Sequence, residues 1–268
     1  MKQPVAVLTL ALVAALPLAQ AQSAAQPAEA APAASADSSV DPRVLGKIDE
    51  MGAYLRTLKQ FEAEADVHND VVAENGQKVQ LMGTIQYKAM PPTGLRASIH
   101  SDRAQRDYWY DGKTLTILAP RLGFYSSIDA PPTIRELVSV AEGDYGIEMP
   151  LADLFLWGTD REAQAPITTA LYVGPGKIDN DVVDQYILRQ GTVDWQVWIA
   201  RGDRPLPRRL VMTANDDPAR PSYTAAIRWN LSPGLSRADF QFKPPSDGYE
   251  IALVPAGEAT ASDDGSQP

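Results

Sequence analysis

Val193-Asp194-Trp195-Gln196-Val197-Trp198-Ile199, followed by Arg201-Gly202-Asp203-Arg204-Pro205-Leu206-Pro207-Arg208-Arg209-Leu210, is the stretch on which the fold turns. A strand directs successive side chains to opposite faces. Val193, Trp195, Val197 and Ile199 therefore share one apolar face, while Asp194, Gln196 and Trp198 point the other way. An apolar face of that size is either packed or lines a cavity. Trp198, on the polar face, is expected to pack beneath a loop or helix outside the sheet rather than to touch a ligand.

The same period recurs on both sides. Tyr223, Ala225, Ile227 and Trp229 alternate downstream, after a strand through Leu210 and Met212 and a turn at Asn215-Asp216-Asp217-Pro218. Upstream, strands are expected near Thr168 to Val173 and, past the turn Asp179-Asn180-Asp181, over Val182 to Gln190. Nearer the N-terminus, Phe61, Ala63, Ala65 and Val67 alternate with Glu62, Glu64, Asp66 and His68. Asn75-Gly76 and Asp111-Gly112 are hairpin turns, with strands through Val79 to Tyr87, Leu95 to Ile99, Tyr108 to Tyr110, Leu115 to Ile117 and Gly123 to Ile128. Regularly spaced short strands with turn signals predict a meander.

Helical spacing appears in three places. Asp41-Pro42 reads as an N-cap followed by proline at the first helical position, and Val44, Ile48, Met51, Leu55 and Leu58 form one apolar stripe. Thr133-Ile134-Arg135-Glu136 matches a capping box, with Ile134, Leu137, Val138 and Ala141 as the stripe behind it. Pro150 to Trp157, stopped by Gly158, reads as a short, very apolar helix placed where a lid over a sheet would be inserted.

Composition limits the function classes. The chain has 268 residues and a net charge of −10, or −11 without residues 1–21, which carry only Lys2. That balance argues against nonspecific nucleic-acid binding and against adhesion to anionic membranes. Absence of cysteine removes disulfides, thiolate metal sites and a cysteine nucleophile. Met1-Lys2, an apolar run from Val5 to Leu16, Pro17 and Ala19-Gln20-Ala21 are arranged as a cleavable signal peptide. The run is shorter than the roughly 20 residues a spanning helix needs. The mature chain is expected to be periplasmic and not membrane-spanning. Residues 22–40, rich in Ala, Pro and Ser, are expected to be a disordered linker. One domain is expected over 41–254, followed by a disordered acidic tail over 255–268.

The motifs that carry chemistry are weak. Gly112-Lys113-Thr114 ends like a phosphate loop but lies in a hairpin and lacks the glycine-rich approach. Arg201-Gly202-Asp203 copies an adhesion tripeptide and equally makes a turn. His68 and His100 have no further ligands at metal-binding spacing. No Gly-x-Ser-x-Gly elbow is present. Asp216-Asp217 falls in a turn, and a dispersed glycosidase pair is neither selected nor excluded by spacing. The expectation is a non-enzyme with no cofactor and no metal. Arg201, Arg204, Arg208 and Arg209 form a basic cluster whose default is a solvated hairpin. Arg208 and Arg209 are candidate contacts for an anionic headgroup or an acidic partner.

Trp195-Gln196-Val197-Trp198-Ile199, Arg204-Pro205-Leu206-Pro207-Arg208-Arg209-Leu210 and Phe240-Gln241-Phe242-Lys243-Pro244-Pro245 together resemble the strand series of the outer-membrane lipoprotein carriers LolA and LolB. Over roughly Asp41 to Val254 the chain also resembles a bacterial family of predicted periplasmic proteins of unknown function. That resemblance rests on Tyr110-Asp111-Gly112-Lys113, Ala130-Pro131-Pro132-Thr133 and Pro150-Leu151-Ala152-Asp153-Leu154-Phe155. The carrier resemblance implies an α+β fold, an incomplete antiparallel β-barrel (half-barrel) with helices over its concave face, closed by a Phe-x-Phe strand.

The expected function is binding of a hydrophobic ligand, a lipid or acyl chain, in the half-barrel, with carriage as its use. The expected lining is Trp195, Val197 and Ile199, with Tyr223, Ile227 and Trp229 on the neighbouring strand and Leu154, Phe155 and Trp157 from the insertion. The alternative is a structural or interaction module of the cell envelope with a filled core and an envelope protein partner. A third is a hydrolase with dispersed carboxylates, which requires an acid of perturbed pKa in a polar cleft.

Overall fold

The computed structural model describes residues 40–152, 155, 157 and 165–256. The leader, nearly all of the linker and acidic tail, and Leu154 lie outside the described residues. Two helices, α1 (Pro42–Thr57) and α2 (Ile134–Tyr145), accompany β1 (Phe61–Val72), β2 (Lys78–Met90), β3 (Gly94–Ser101), β4 (Gln105–Tyr110), β5 (Thr114–Ala119), β6 (Phe124–Asp129), β7 (Ile167–Ile178), β8 (Asp181–Gln190), β9 (Val193–Ala200), β10 (Pro207–Ala214), β11 (Ser222–Asn230) and β12 (Tyr249–Glu250). The expected helix starts hold: Asp41 accepts the Arg43 amide, and the Thr133 hydroxyl accepts the Glu136 amide. Both apolar stripes are buried at Val44, Ile48, Met51 and Leu55 and at Ile134, Leu137, Val138 and Ala141.

All twelve strands form one sheet in the order β12-β6-β5-β4-β3-β2-β1-β11-β10-β9-β8-β7, antiparallel except for β12 against β6. The two ends of the row do not pair, so the barrel is unclosed. At about 4.8 Å per strand a flat sheet of this size would be roughly 50 Å wide. Yet Ala170 of β7 and Leu115 of β5 belong to the same buried cluster as both helices. The sheet must therefore curl around the helices.

Side-chain size along the register explains how it curls. One row across the inner face reads Trp229, Ala63, Tyr87, Ala97, Tyr108, Ile117. Alanine between aromatic residues gives each ring a recess, and Ala63, Tyr87 and Ala97 are all essentially inaccessible. Outward-facing positions are instead polar and ion-paired: Arg228 with Glu64 and Asp66, Lys88 with Glu62, and Arg189 with Asp194.

Two expectations are corrected. Phe240-Gln241-Phe242 does not form a closing strand; Arg237–Phe240 is a 3-10 turn and the chain continues as an irregular strap. Phe240 fills the space over Gly94, where a Cβ would stand 2.8 Å from its ring, and Phe242 lies against Trp109 and Tyr125 with centroids 5.0 Å away in each case. The two phenylalanines thus cover the outer face. Trp198 is on the outer face as expected, but its described cover is a side chain: the Arg209 guanidinium stands 5.2 Å from its ring.

Ala63→Leu should overpack the recess between Tyr87 and Trp229 and destabilise by about 1–3 kcal/mol, read as a lower urea midpoint at unchanged slope. A second outcome concerns pH. The Asp194 carboxylate accepts from Arg189 (2.5 and 2.9 Å), Asn215 (3.2 Å) and Arg220 (3.1 Å). The Arg189 guanidinium above all holds it well below the usual carboxylate range. A depressed folded-state pKa stabilises fully above the unfolded value of about 3.9 and is lost as pH falls toward the folded one. Asp194→Asn should therefore be less stable than wild type at neutral pH, and the difference should shrink on acidification from about pH 5 to pH 2. A constant difference in melting temperature across that range would contradict the assignment.

Candidate functional site

The expected lining residues fall at two ends of the inner face. At the first end Phe61 stacks on Phe155 with centroids 6.0 Å apart and meets Trp229 at 5.4 Å, while Tyr87 presents an edge to Phe155 at 5.5 Å. The polar tips are satisfied by backbone carbonyls: Trp229 Nε1 donates to Pro207 O at 2.8 Å and Tyr87 Oη to Pro150 O at 2.7 Å. Helix α1 closes on this region through Gly52, where a Cβ would stand 2.9 Å from the Trp157 carbonyl oxygen. Arg56 donates to that same oxygen at 2.7 Å. Ile199 and Ile227 are buried in the core here, and Phe155, Trp157 and Trp229 are partly buried against it.

The second end lies toward the opposite strand termini. Trp195 pairs with Met212, and Met212 with Tyr223, so three large side chains stand side by side on β9, β10 and β11. No alanine is interleaved in this stretch, and all three remain half-buried. Val197, Leu210 and Ala225, the neighbouring row, are buried. Val67, opposite Ala225, is half-buried as well. Met212 and Val67 were placed on strands from sequence but not in the lining; only the pairing of β10 and β1 with β11 brings them there.

The basic cluster lies at the other end of these strands. From Trp195 to Arg201 the chain advances six residues, or about 20 Å at strand rise. There a cleft of about 760 Å³ is lined by Asp179, Asp181, Arg201, Arg204, Arg208 and Arg228, with Trp229 and Leu206 among its apolar walls. Its charges are largely paired internally. Arg201 donates to Asp184 at 2.6 and 2.9 Å and, foremost among the causes, holds that carboxyl below its ordinary range. Arg208, whose side chain is only 13% exposed, pairs with Asp179 and Asp181 and donates to Ile227 O at 3.1 Å. Arg209 is outside, on Trp198. The structure therefore does not bring Arg208 and Arg209 together with Trp195 and Tyr223.

Chemistry of the acid–base kind finds little support in the geometry. Among the described residues, Asp66, Asp184 and Asp194 have pKa values displaced downward, each chiefly by an arginine hydrogen bond, whereas a general acid needs displacement upward. His100 Nε2 lies 3.1 Å from Asp107 Oδ1 on the outer face. Asp111 accepts the amides of Lys113 and Thr114 at 3.0 Å each, so the Gly112-Lys113-Thr114 segment is the hairpin turn. A second cleft, of about 460 Å³, opens under the C-terminal strap between Trp109, Tyr125 and Phe242.

Similarity to known proteins follows the architecture. No curated protein sequence matches the chain. Among solved structures, lipoprotein LppX from Mycobacterium tuberculosis is 12% identical with a TM-score of 0.45, over 71% of this chain and 97% of LppX. LprF from Mycobacterium bovis is 10% identical with a TM-score of 0.43, over 78% and 99%. A LolA superfamily protein from Nitrosomonas europaea is 10% identical with a TM-score of 0.34, over 75% and 97%. No helix among the described residues is long and apolar enough to cross a membrane. Export, expected from the leader, agrees with the description of the family whose model matches residues 47–254. The chain belongs to that family, the DUF2092 predicted periplasmic proteins.

Proposed function

We propose that the protein is a non-enzymatic periplasmic binder of a hydrophobic ligand, a lipid or acyl chain, and that the ligand lies against the Trp195 end of the inner face. The observation that carries this reading is the row Trp195, Met212 and Tyr223, three large side chains only partly buried where they pack against the core. Burying an acyl chain of about 15 methylenes gives on the order of 12 kcal/mol gross at about 0.8 kcal/mol each. Association and ordering costs remove part of that. Carriage between membranes is the use such a site would serve. Arg208 and Arg209 contribute little to it, because one is engaged by two carboxylates and the other by an indole.

A second reading is an envelope interaction module with a filled core. The aromatic cluster of Phe61, Tyr87, Phe155 and Trp229 favours it, since that part of the interior is already packed. Native mass spectrometry of gently purified protein and uptake of a fluorescent fatty acid separate the two. Wild type should carry or take up acyl chains, and Trp195→Ala should lose uptake while keeping its fold. Trp229→Ala, by contrast, should cost about 3–5 kcal/mol of stability. A strictly apo wild type that takes up no fatty acid would sink the carrier reading.

A further inference from the structure

The indole nitrogen of Trp195 is inaccessible to solvent and has no hydrogen-bond acceptor among the described residues. An indole N–H is a donor only, and a buried donor left unpaired is costly enough that native structures rarely retain one without a role. Three other ring tips of the inner face are paired within the protein: Trp229, Tyr87 and Tyr110 donate to the backbone carbonyls of Pro207, Pro150 and Pro131. Trp195 instead faces Leu188 on one side and Met212 on the other, neither of which offers an oxygen from its side chain.

Resting on the hydrophobic-ligand reading above, we propose that the ligand carries a hydrogen-bond-accepting oxygen, as a fatty acid or acyl ester does, and that Trp195 Nε1 donates to it. A pure hydrocarbon would bury the indole further and leave its N–H unpaired; a carboxylate or ester carbonyl supplies the acceptor that the protein lacks. Met212, unbranched and flexible, is the cross-strand neighbour able to yield as the oxygen approaches. The polar end of the ligand is thereby fixed at the Trp195 end of β9, away from the arginine-lined cleft.

The test compares palmitate with hexadecane, which has the same chain length class and no acceptor. In wild type, palmitate should move the Trp195 indole N–H resonance downfield, the peak being assigned by its absence in Trp195→Phe. Trp195→Phe keeps a large ring and removes the donor; its loss of palmitate affinity should exceed its loss of hexadecane affinity by about tenfold, equivalent to about 1.4 kcal/mol. Equal palmitate affinity in the two proteins, or an equal loss for both probes, overturns the donor role while leaving hydrophobic binding intact. Failure of wild type to bind either probe overturns the hydrophobic-ligand reading and this inference with it.

Discussion

Everything in this molecule depends on covering one apolar face of a twelve-stranded sheet with only two described helices and a short insertion. Backbone hydrogen bonding forces alternate side chains to one side, so each strand adds apolar surface that must be removed from water. Helices α1 and α2 together bury a handful of large residues, too few to blanket a flat sheet of this width. Curling the sheet brings distant strands onto the same helices. The Trp229-Ala63-Tyr87-Ala97-Tyr108 row shows how side chains accommodate it: small residues let neighbouring rings converge on the concave side.

The same size pattern divides the interior. Where large and small alternate, rings interlock and their polar tips reach backbone carbonyls. Where Trp195, Met212 and Tyr223 adjoin, no small residue is interleaved and all three stay only partly buried. How fully each position packs is thus a matter of residue volume read across strands, since every position involved is apolar and on the correct face.

That distinction sets how far the sequence could be read. Period-two alternation placed Trp195, Val197 and Ile199 on one face, and Asn75-Gly76 and Asp111-Gly112 marked hairpins because glycine accepts positive φ (79° at Gly76 and 93° at Gly112). The helix caps were equally legible, being local. Alternation could not say that Phe155 and Trp229 meet on Phe61, or that Trp195, Met212 and Tyr223 adjoin, because that depends on which residues face each other across strands. It also misread Phe240 and Phe242. Two phenylalanines spaced by one residue mimic a strand, yet the chain there is irregular and both rings cover the outer face.

Openness itself is built into the terminal strands. Closing the barrel would require β7 to pair with β12 or β6, and neither side is suited to it. β7 carries register shifts between Ile167 and Thr169 and between Tyr172 and Gly174, followed by Pro175, which has no amide to donate. Its edge is further engaged by the Asp41 amide, which donates to Ala170 O at 2.9 Å. On the far side, β12 is only two residues long and runs parallel to β6, capping that edge after Phe124 and Tyr125. Bulges, proline and a short covering strand are the devices by which proteins keep sheet edges from pairing. A closed barrel has a radius set by its strand number and stagger, whereas an open sheet fixes no such radius. A sheet whose two edges are kept apart is thus free to take the curvature that its helices and its rows of side chains dictate.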